Sequence, residues 1–236
     1  MAKNDSIDKS KQEKINAFNP SGIGHTNGNL FGLPFTVEES DIVIIPVPWD
    51  VTTSFRSGAA NAPAAVLEAS YQIDLYDEDM PDGWKVGIAM LPISTRIMKL
   101  NLALRPKASS FIKQLEQGFP SGADRYLTNL YEVNDGGKQL NAWVKEEAKW
   151  LLSQGKIVGI LGGDHSAPQG LFEALAEHAP GFRVLHIDAH LDMRLAYEGF
   201  TYSHASIMRN VAAINGVDRF VHLGIRDYCE EESQKV

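Results

Sequence analysis

Cysteine is almost absent. Cys229 stands alone, so no internal disulfide can staple the chain and no thiolate cluster can hold a metal. Long apolar runs are also missing: no uninterrupted stretch approaches the ~18 residues of a membrane-spanning helix, and Met1 to Lys14 is charged rather than leader-like. No membrane association is therefore expected, and the cytoplasm is the expected compartment. Positive charge is in deficit. With 22 Lys and Arg against 30 Asp and Glu the net charge is −8, spread along the chain, which disfavours nucleic acid as a partner and mildly favours a cationic ligand. Internal repeats and low-complexity tracts are absent as well.

What is present suits one core. A chain of 236 residues, 44% of them hydrophobic, needs no second domain to bury it. Residues 1–40 are expected to form an irregular N-terminal arm, because the first part is polar and Ser21 to Phe35 holds Gly22, Gly24, Gly28, Gly32 and Pro34. The domain proper is expected over residues 41–236. Asp41 to Pro46 (DIVIIP) reads as a strand buried on both faces, and Asn61 to Ser70 as a helix with Asn61 as its cap and Pro63 in its first turn. From about Leu75 to Gly137 the pattern degrades into acidic, proline-containing and aromatic pieces around one apolar run, Val86 to Leu91, so an insertion around 75–137 is expected. Regularity returns at Leu140, Trp143, Val144, Ala148, Leu151 and Leu152, a helix expected to stop at Gly155. Strand (Lys156 to Leu161), helix (Ala167 to His178), strand (Arg183 to Ile187), helix (Ala205 to Ile214) and strand (Arg219 to Leu223) follow. This alternation predicts an α/β fold, a three-layer α/β/α arrangement with a mostly parallel central sheet covered on both faces. Ligands then bind in the loops beyond the carboxyl ends of the strands.

Those loops carry the unusual residues. After the strand KIVGIL comes Gly162-Gly163-Asp164-His165-Ser166, an imidazole at a strand end where two glycines let the backbone turn tightly. The next strand ends in Asp188-Ala189-His190-Leu191-Asp192, three donors at alternate positions, which extended backbone aims one way. Each residue alone reads as a cap or a satisfied polar group. Together they would bury like charges side by side unless a cation neutralised them. An oxygen and imidazole donor set suits Mn²⁺ first, with Ni²⁺, Fe²⁺, Co²⁺ or Zn²⁺ possible. His186, inside the strand, is expected to be a buried histidine bonded to backbone, His222 and His178 also have structural readings, and nothing fixes a role for His25 in the glycine-rich arm.

At these motifs the sequence resembles the ureohydrolase family, the arginases, agmatinases and their relatives, whose GGDHS and DAHxD match Gly162 to Ser166 and Asp188 to Asp192. The resemblance extends to Pro48, Asp50, Thr53, Ser54, Arg56, Gly58 and Pro63, to Ser203-His204, and to Leu223-Gly224-Ile225-Arg226. It implies an arginase-like fold with its C-terminal part absent, and two divalent metal ions, Mn²⁺ first and Ni²⁺ as the alternative. His165 would bind one ion and His190 the other, with Asp188 bridging them and Asp192 joining the first. His204, in a setting similar to the agmatinase branch, would be the proton shuttle. The resemblance also implies a homo-oligomer, a trimer or hexamer, acting on a small guanidino substrate. Substrate-binding residues are not assigned.

The family's later Asp-x-Asp pair and its downstream Glu have no counterpart after His204, so the chain is expected to be the front part of a longer protein and to be inactive alone. Two ions about 3.5–4 Å apart would generate a bridging hydroxide near neutral pH to attack the guanidinium carbon. The leaving amine would collect its proton by way of His204, and urea would be released. An agmatinase-like substrate is expected. The alternatives are free guanidine with nickel, formimino-glutamate, and, in another class, a non-catalytic binding protein with an incomplete metal site.

Overall fold

The computed structural model describes residues 2–118 and 124–235. Its first element departs from expectation: Ala2–Ala17 is a helix, α1, where an irregular arm was expected. The segment is free of glycine and proline and holds four lysines, which are good helix formers. Its polarity hid an electrostatic anchorage. Lys14 Nζ lies 2.6 Å from the buried Glu39 carboxylate, Ser10 Oγ donates to the same group at 2.6 Å, and Lys11 Nζ donates to the Val86 carbonyl at 2.8 Å. Ile15 and Phe18 add apolar contact beside Leu33, Phe35 and Trp84. The stretch from residue 18 to 40 is irregular apart from one helical turn at Leu30–Gly32.

Strand β1 (Ile42–Val47) is the centre of a parallel three-stranded ladder, flanked by β2 (Ile88–Met90) and β3 (Ile157–Gly162), with Ile42 in register with both Ile88 and Ile157. Val43, Ile45 and Val47 are fully buried, as a central strand requires. Helix α2 (Ala62–Ser70) follows β1 with proline in its first turn as expected, but Asn61 makes no side-chain cap bond. Its backbone is already helical there, and a cap residue needs extended backbone to reach the next amides.

The segment expected to hold an insertion contributes to the scaffold. β2 pairs with β1, and α3 (Thr95–Glu116) buries Ile97, Asn101, Leu104, Ala108, Phe111 and Ile112 against the core. α4 (Asp124–Ser153) begins well before the expected helix start, while residues 119–123 of the expected insertion lie outside the described residues. Gly136 explains why a helix passes through a glycine pair. A Cβ there would sit 2.1 Å from Leu104 Cδ1, so glycine is what lets α4 lie close against α3.

α5 (Gln169–His178), β4 (Phe182–Ile187), the short helix α6 (Ile207–Ala212), β5 (Val217–Leu223) and the single turn α7 (Glu230–Ser233) complete the chain. β4 and β5 form a second parallel ladder in which His186 is level with His222, and no ladder joins β3 to β4 among the described residues. One face of this pair packs Val184 and Phe220 against Phe172, Ile207, Met208 and Val211. The other face is open. Leu185 and Ile187 are 60% and 72% exposed, so the expected cover on both faces does not hold for β4. An apolar run shows that a strand is fit for burial, not that a layer lies on it.

Candidate metal centre

The cleft sits where the sheet topology places it, beyond the carboxyl ends of β3, β4 and β5, with a volume of about 440 Å³. His165, Asp188, His190, Asp192 and His204 all line it, joined by Asp164, Arg194, Tyr197, Asp227, Tyr228 and Glu232. Five of these are carboxylates, against a single guanidinium.

Backbone bonds fix the loops that carry them. The Asp164 amide donates to the Trp49 carbonyl at 2.8 Å, tying the loop after β3 to the loop after β1. Gly163 permits that approach: its φ is +74°, and a Cβ would meet the Trp49 and Val47 carbonyl oxygens at 2.5 and 2.7 Å. The loop after β1 is fixed in turn by α3. Asn101 bonds the Asp50 amide at 2.8 Å and its carboxylate at 3.1 Å, while Arg105 donates to the Val51 and Thr53 carbonyls. The loop after β4 is held from two sides. The Asp192 carbonyl accepts the Met208 amide at 3.0 Å, and the Ala189 carbonyl accepts the Arg226 amide at 2.9 Å. Asp192 itself has φ +54°, a left-handed conformation uncommon outside glycine and frequent at functional sites.

Side-chain geometry separates the donors into two groups around Asp188. On one side His165 Nδ1 lies 3.5 Å from Asp188 Oδ2 and 2.6 Å from Asp192 Oδ2. On the other, His190 Nδ1 lies 3.3 Å from Asp188 Oδ1, and His190 Nε2 lies 3.9 Å from Asp227 Oδ2. His165, Asp188 and Asp192 belong to a set whose ligand atoms all lie within 4.8 Å of one another, and the fourth member is His186, not His190. His190 is 61% exposed at its side chain, outside that set.

His186 was expected to bond to backbone. It is buried, at 4% exposure, but its Nδ1 meets His222 Nδ1 at 2.9 Å, and its buried Nε2 has no hydrogen-bond partner. The signal was available in the period of two that puts Val184, His186 and Asp188 on one strand face. Glu232 has no motif around it to mark it in the sequence. Its carboxylate accepts the Met193 and Cys229 amides, each at 3.0 Å, and lies 3.5 Å from Arg194 Nε, so it ties α7 to the loop after β4.

Charge states follow from these surroundings. Burial by itself lowers the His165 pKa, but the hydrogen bond and charge of Asp192, with Asp188 and Asp164, outweigh it and raise the group. Burial would raise Asp188, yet the His190 amide and the neighbouring imidazoles hold it below its ordinary value. His204 is lowered by burial, so the neutral imidazole is favoured, and Asp164 is raised by burial. The donor set fits divalent cations. Carboxylates and imidazoles crowd together without enough positive charge to balance them, and an unpartnered buried nitrogen faces the same space.

Comparison with known proteins shows the family. The model of the arginase family matches residues 40–236. An N(1)-aminopropylagmatine ureohydrolase from Synechocystis sp. is 30% identical over 199 residues, covering 84% of this chain and 55% of the relative. An agmatinase from Bacillus anthracis is 28% identical over 198 residues, covering 83% of this chain and 55% of its own length. The chain thus spans about half the length of the curated relatives it matches. Among solved structures, the agmatine ureohydrolase of Thermoplasma volcanium superposes with a TM-score of 0.62 at 24% identity, covering 94% of this chain and 60% of that one. A Trypanosoma cruzi formiminoglutamase solved with two Mn²⁺ gives a TM-score of 0.60 at 18% identity, over 87% of this chain and 60% of its own. With strand ends, loops and family model in agreement over residues 40–236, the chain belongs to the arginase family.

Proposed function

We propose that this chain carries the metal-binding loops of a hydrolase that splits a linear guanidino compound of the agmatine type into urea and an amine. The observation that carries the reading is Asp188, one carboxylate with each oxygen turned to a different imidazole, 3.5 Å from His165 and 3.3 Å from His190. That is the arrangement expected of a carboxylate shared between two cations. His165 and Asp192 would hold one ion and His190 the other, with Mn²⁺ favoured by the carboxylate share of the donors and by the formiminoglutamase neighbour. When bound, two such ions supply a water acidic enough to ionise near neutral pH.

The remaining work falls to the chain's own side chains. Asp227, a cleft carboxylate not given to either ion, is available to the cationic tail of an agmatine-like molecule. His204 stands at the cleft wall, its ring edge-on to Tyr197 at 6.0 Å, its Nδ1 3.3 Å from Ser203 Oγ and its backbone amide 3.4 Å from Thr52 Oγ1. Kept neutral by burial, it can take up a proton and pass it to the departing amine. The substrate class rests on the relatives, named as ureohydrolases of agmatine and aminopropylagmatine.

The test is urea release by the natural full-length protein loaded with Mn²⁺ and offered agmatine, aminopropylagmatine, guanidinobutyrate, free guanidine and formimino-glutamate. His204→Asn is expected to lower kcat about 100-fold or more while leaving metal content unchanged. Absence of urea and ammonia from every substrate would remove the reading.

A further inference from the structure

Glu198 faces inward from a place where acids normally face water. It stands with Gly199 at the corner of a turn that joins Tyr197 to Phe200, the two corner residues at φ +54° and +81°. Corners of this kind favour Asn, Asp or Gly and leave their side chains in solvent. The Glu198 side chain is instead half-buried, and its Oε2 is buried without a hydrogen-bond partner. We infer that Glu198 seats the tip of the cleft wall, residues 195–199, only as the neutral acid, and that its ionisation lifts the tip and takes Tyr197 away from His204. The seating does not depend on the function proposed above; its bearing on the proton shuttle rests on that reading.

The base of this loop is firm and its tip is not. Phe200 is fully buried against Phe111, ring centroids 5.5 Å apart, and the Thr201 amide donates to Asn134 Oδ1 at 2.8 Å. The tip is tied to its surroundings by longer bonds, from the Tyr197 amide to Ser206 Oγ at 3.3 Å and from Asn134 Nδ2 to the Gly199 carbonyl at 3.3 Å. Leu195, its aliphatic side chain, is 62% exposed and does not anchor it. Tyr197 is the side chain by which the tip reaches the cleft. It lines the wall, with its ring edge-on to His204 at 6.0 Å and beneath the Arg194 guanidinium at 4.9 Å.

The charges around Glu198 do not favour a carboxylate. Arg105 and Glu116 reach it from α3, and the Arg105 guanidinium already donates to the Val51 and Thr53 carbonyls. Helix α4 turns Leu130 and Asn134 to the turn, and its Glu132 is paired with Lys107. Arg194, on the same loop, is turned to Tyr197 and Glu232. Burial and the Glu116 charge outweigh Arg105 and raise the carboxyl from 4.5 to about 7. A carboxyl raised in the seated tip favours seating in full below its free pKa and loses that preference as pH climbs to the seated value. Seating therefore weakens between about pH 4.5 and 7 and is constant above, the ratio of seated to lifted tips falling about 300-fold in all.

The experiment is hydrogen exchange of the natural full-length protein between about pH 5 and pH 8, corrected for the intrinsic pH dependence of exchange. The Tyr197 amide reports the tip, and the Thr201 amide, on the firm base, is its control. Wild-type protection at Tyr197 is expected to fall roughly 70-fold over this range while that at Thr201 holds. Glu198→Gln, neutral at every pH, is expected to keep the low-pH protection throughout. Protection at Tyr197 that does not change with pH, a fall shared equally by Thr201, or the same slope in Glu198→Gln overturns the inference and leaves the proposed function untouched. Absence of urea release with the pH response intact removes the proposed function and leaves the seating. The wild-type profile needs no variant, so a misfolded Glu198→Gln does not remove the test.

Discussion

Glu39 offers a direct test of how α1 is held. Its carboxylate receives Ser10 Oγ at 2.6 Å, Lys14 Nζ at 2.6 Å and the Thr36 amide at 2.8 Å, and it is 6% exposed. Burial would raise its pKa, but the hydrogen bonds from Lys14, Ser10 and Thr36 and the Lys14 charge prevail and lower it from 4.5 to about 2. A carboxylate depressed in the folded state stabilises fully above its unfolded pKa, and that stability disappears as pH falls toward the folded value. The shift corresponds to roughly 3 kcal/mol at pH 7, of which about 1 is gone by pH 4 and about 2 by pH 3. Glu39→Gln removes this ionisation while keeping the shape. Urea unfolding of both proteins at pH 7, 4 and 3 should therefore show a gap of about 2–3 kcal/mol that narrows by about 2 kcal/mol at the lowest pH. If α1 undocks before the domain unfolds, the same free energy appears as lost hydrogen-exchange protection in Ala2–Ala17. A gap that stays constant or widens toward low pH would refute the assignment of Glu39 as the anchor.

Other substitutions probe the loops around the centre. Gly163→Ala places a methyl 2.5 Å from the Trp49 carbonyl oxygen in a left-handed conformation, and roughly 3 kcal/mol of lost stability is expected in thermal unfolding. Asn101→Ala strips partners from the buried Asp50 amide and carboxylate; a cost of about 2–3 kcal/mol and faster proteolysis within residues 48–60 are expected. Glu232→Ala leaves the Met193 and Cys229 amides without their acceptor, at about 3 kcal/mol. Chelator competition should also show weaker metal binding, because Met193 follows Asp192 directly.

The loops that carry the candidate donors were legible because their chemistry is local. A strand end, two glycines and donors at alternate positions place His165, Asp188 and Asp192 without knowledge of anything distant, and β1, β3, β4 and β5 follow from short apolar runs. Helix α3 was not legible. Its buried face runs at three- and four-residue steps through Ile97, Asn101, Leu104, Ala108 and Phe111, but an amide and a small residue dilute the stripe, and Pro106 lies inside the helix. Asn101 is on that stripe for its bonds to Asp50, which sequence spacing cannot reveal. The same limit applies to His186 and Glu232. Each meets a partner 36 or 39 residues away, His222 and the Met193 amide, brought near only by parallel pairing and by the turn at α7. Of α1, the sequence showed the polarity but not the buried Glu39 waiting for its lysine.

Trp49 gives the molecule an optical reporter of its own. Its ring is 1% exposed in the core, while its backbone carbonyl receives the Asp164 amide, one residue from His165. Trp150, by contrast, is 47% exposed and emits from water. With Trp84, Trp143 and Trp150 replaced by phenylalanine, the remaining emission comes from a single indole wedged between the hydrophobic interior and the first donor loop. Its wavelength and quenching then become a continuous record of whether that loop is seated, readable at micromolar protein without a label and before any turnover is measured.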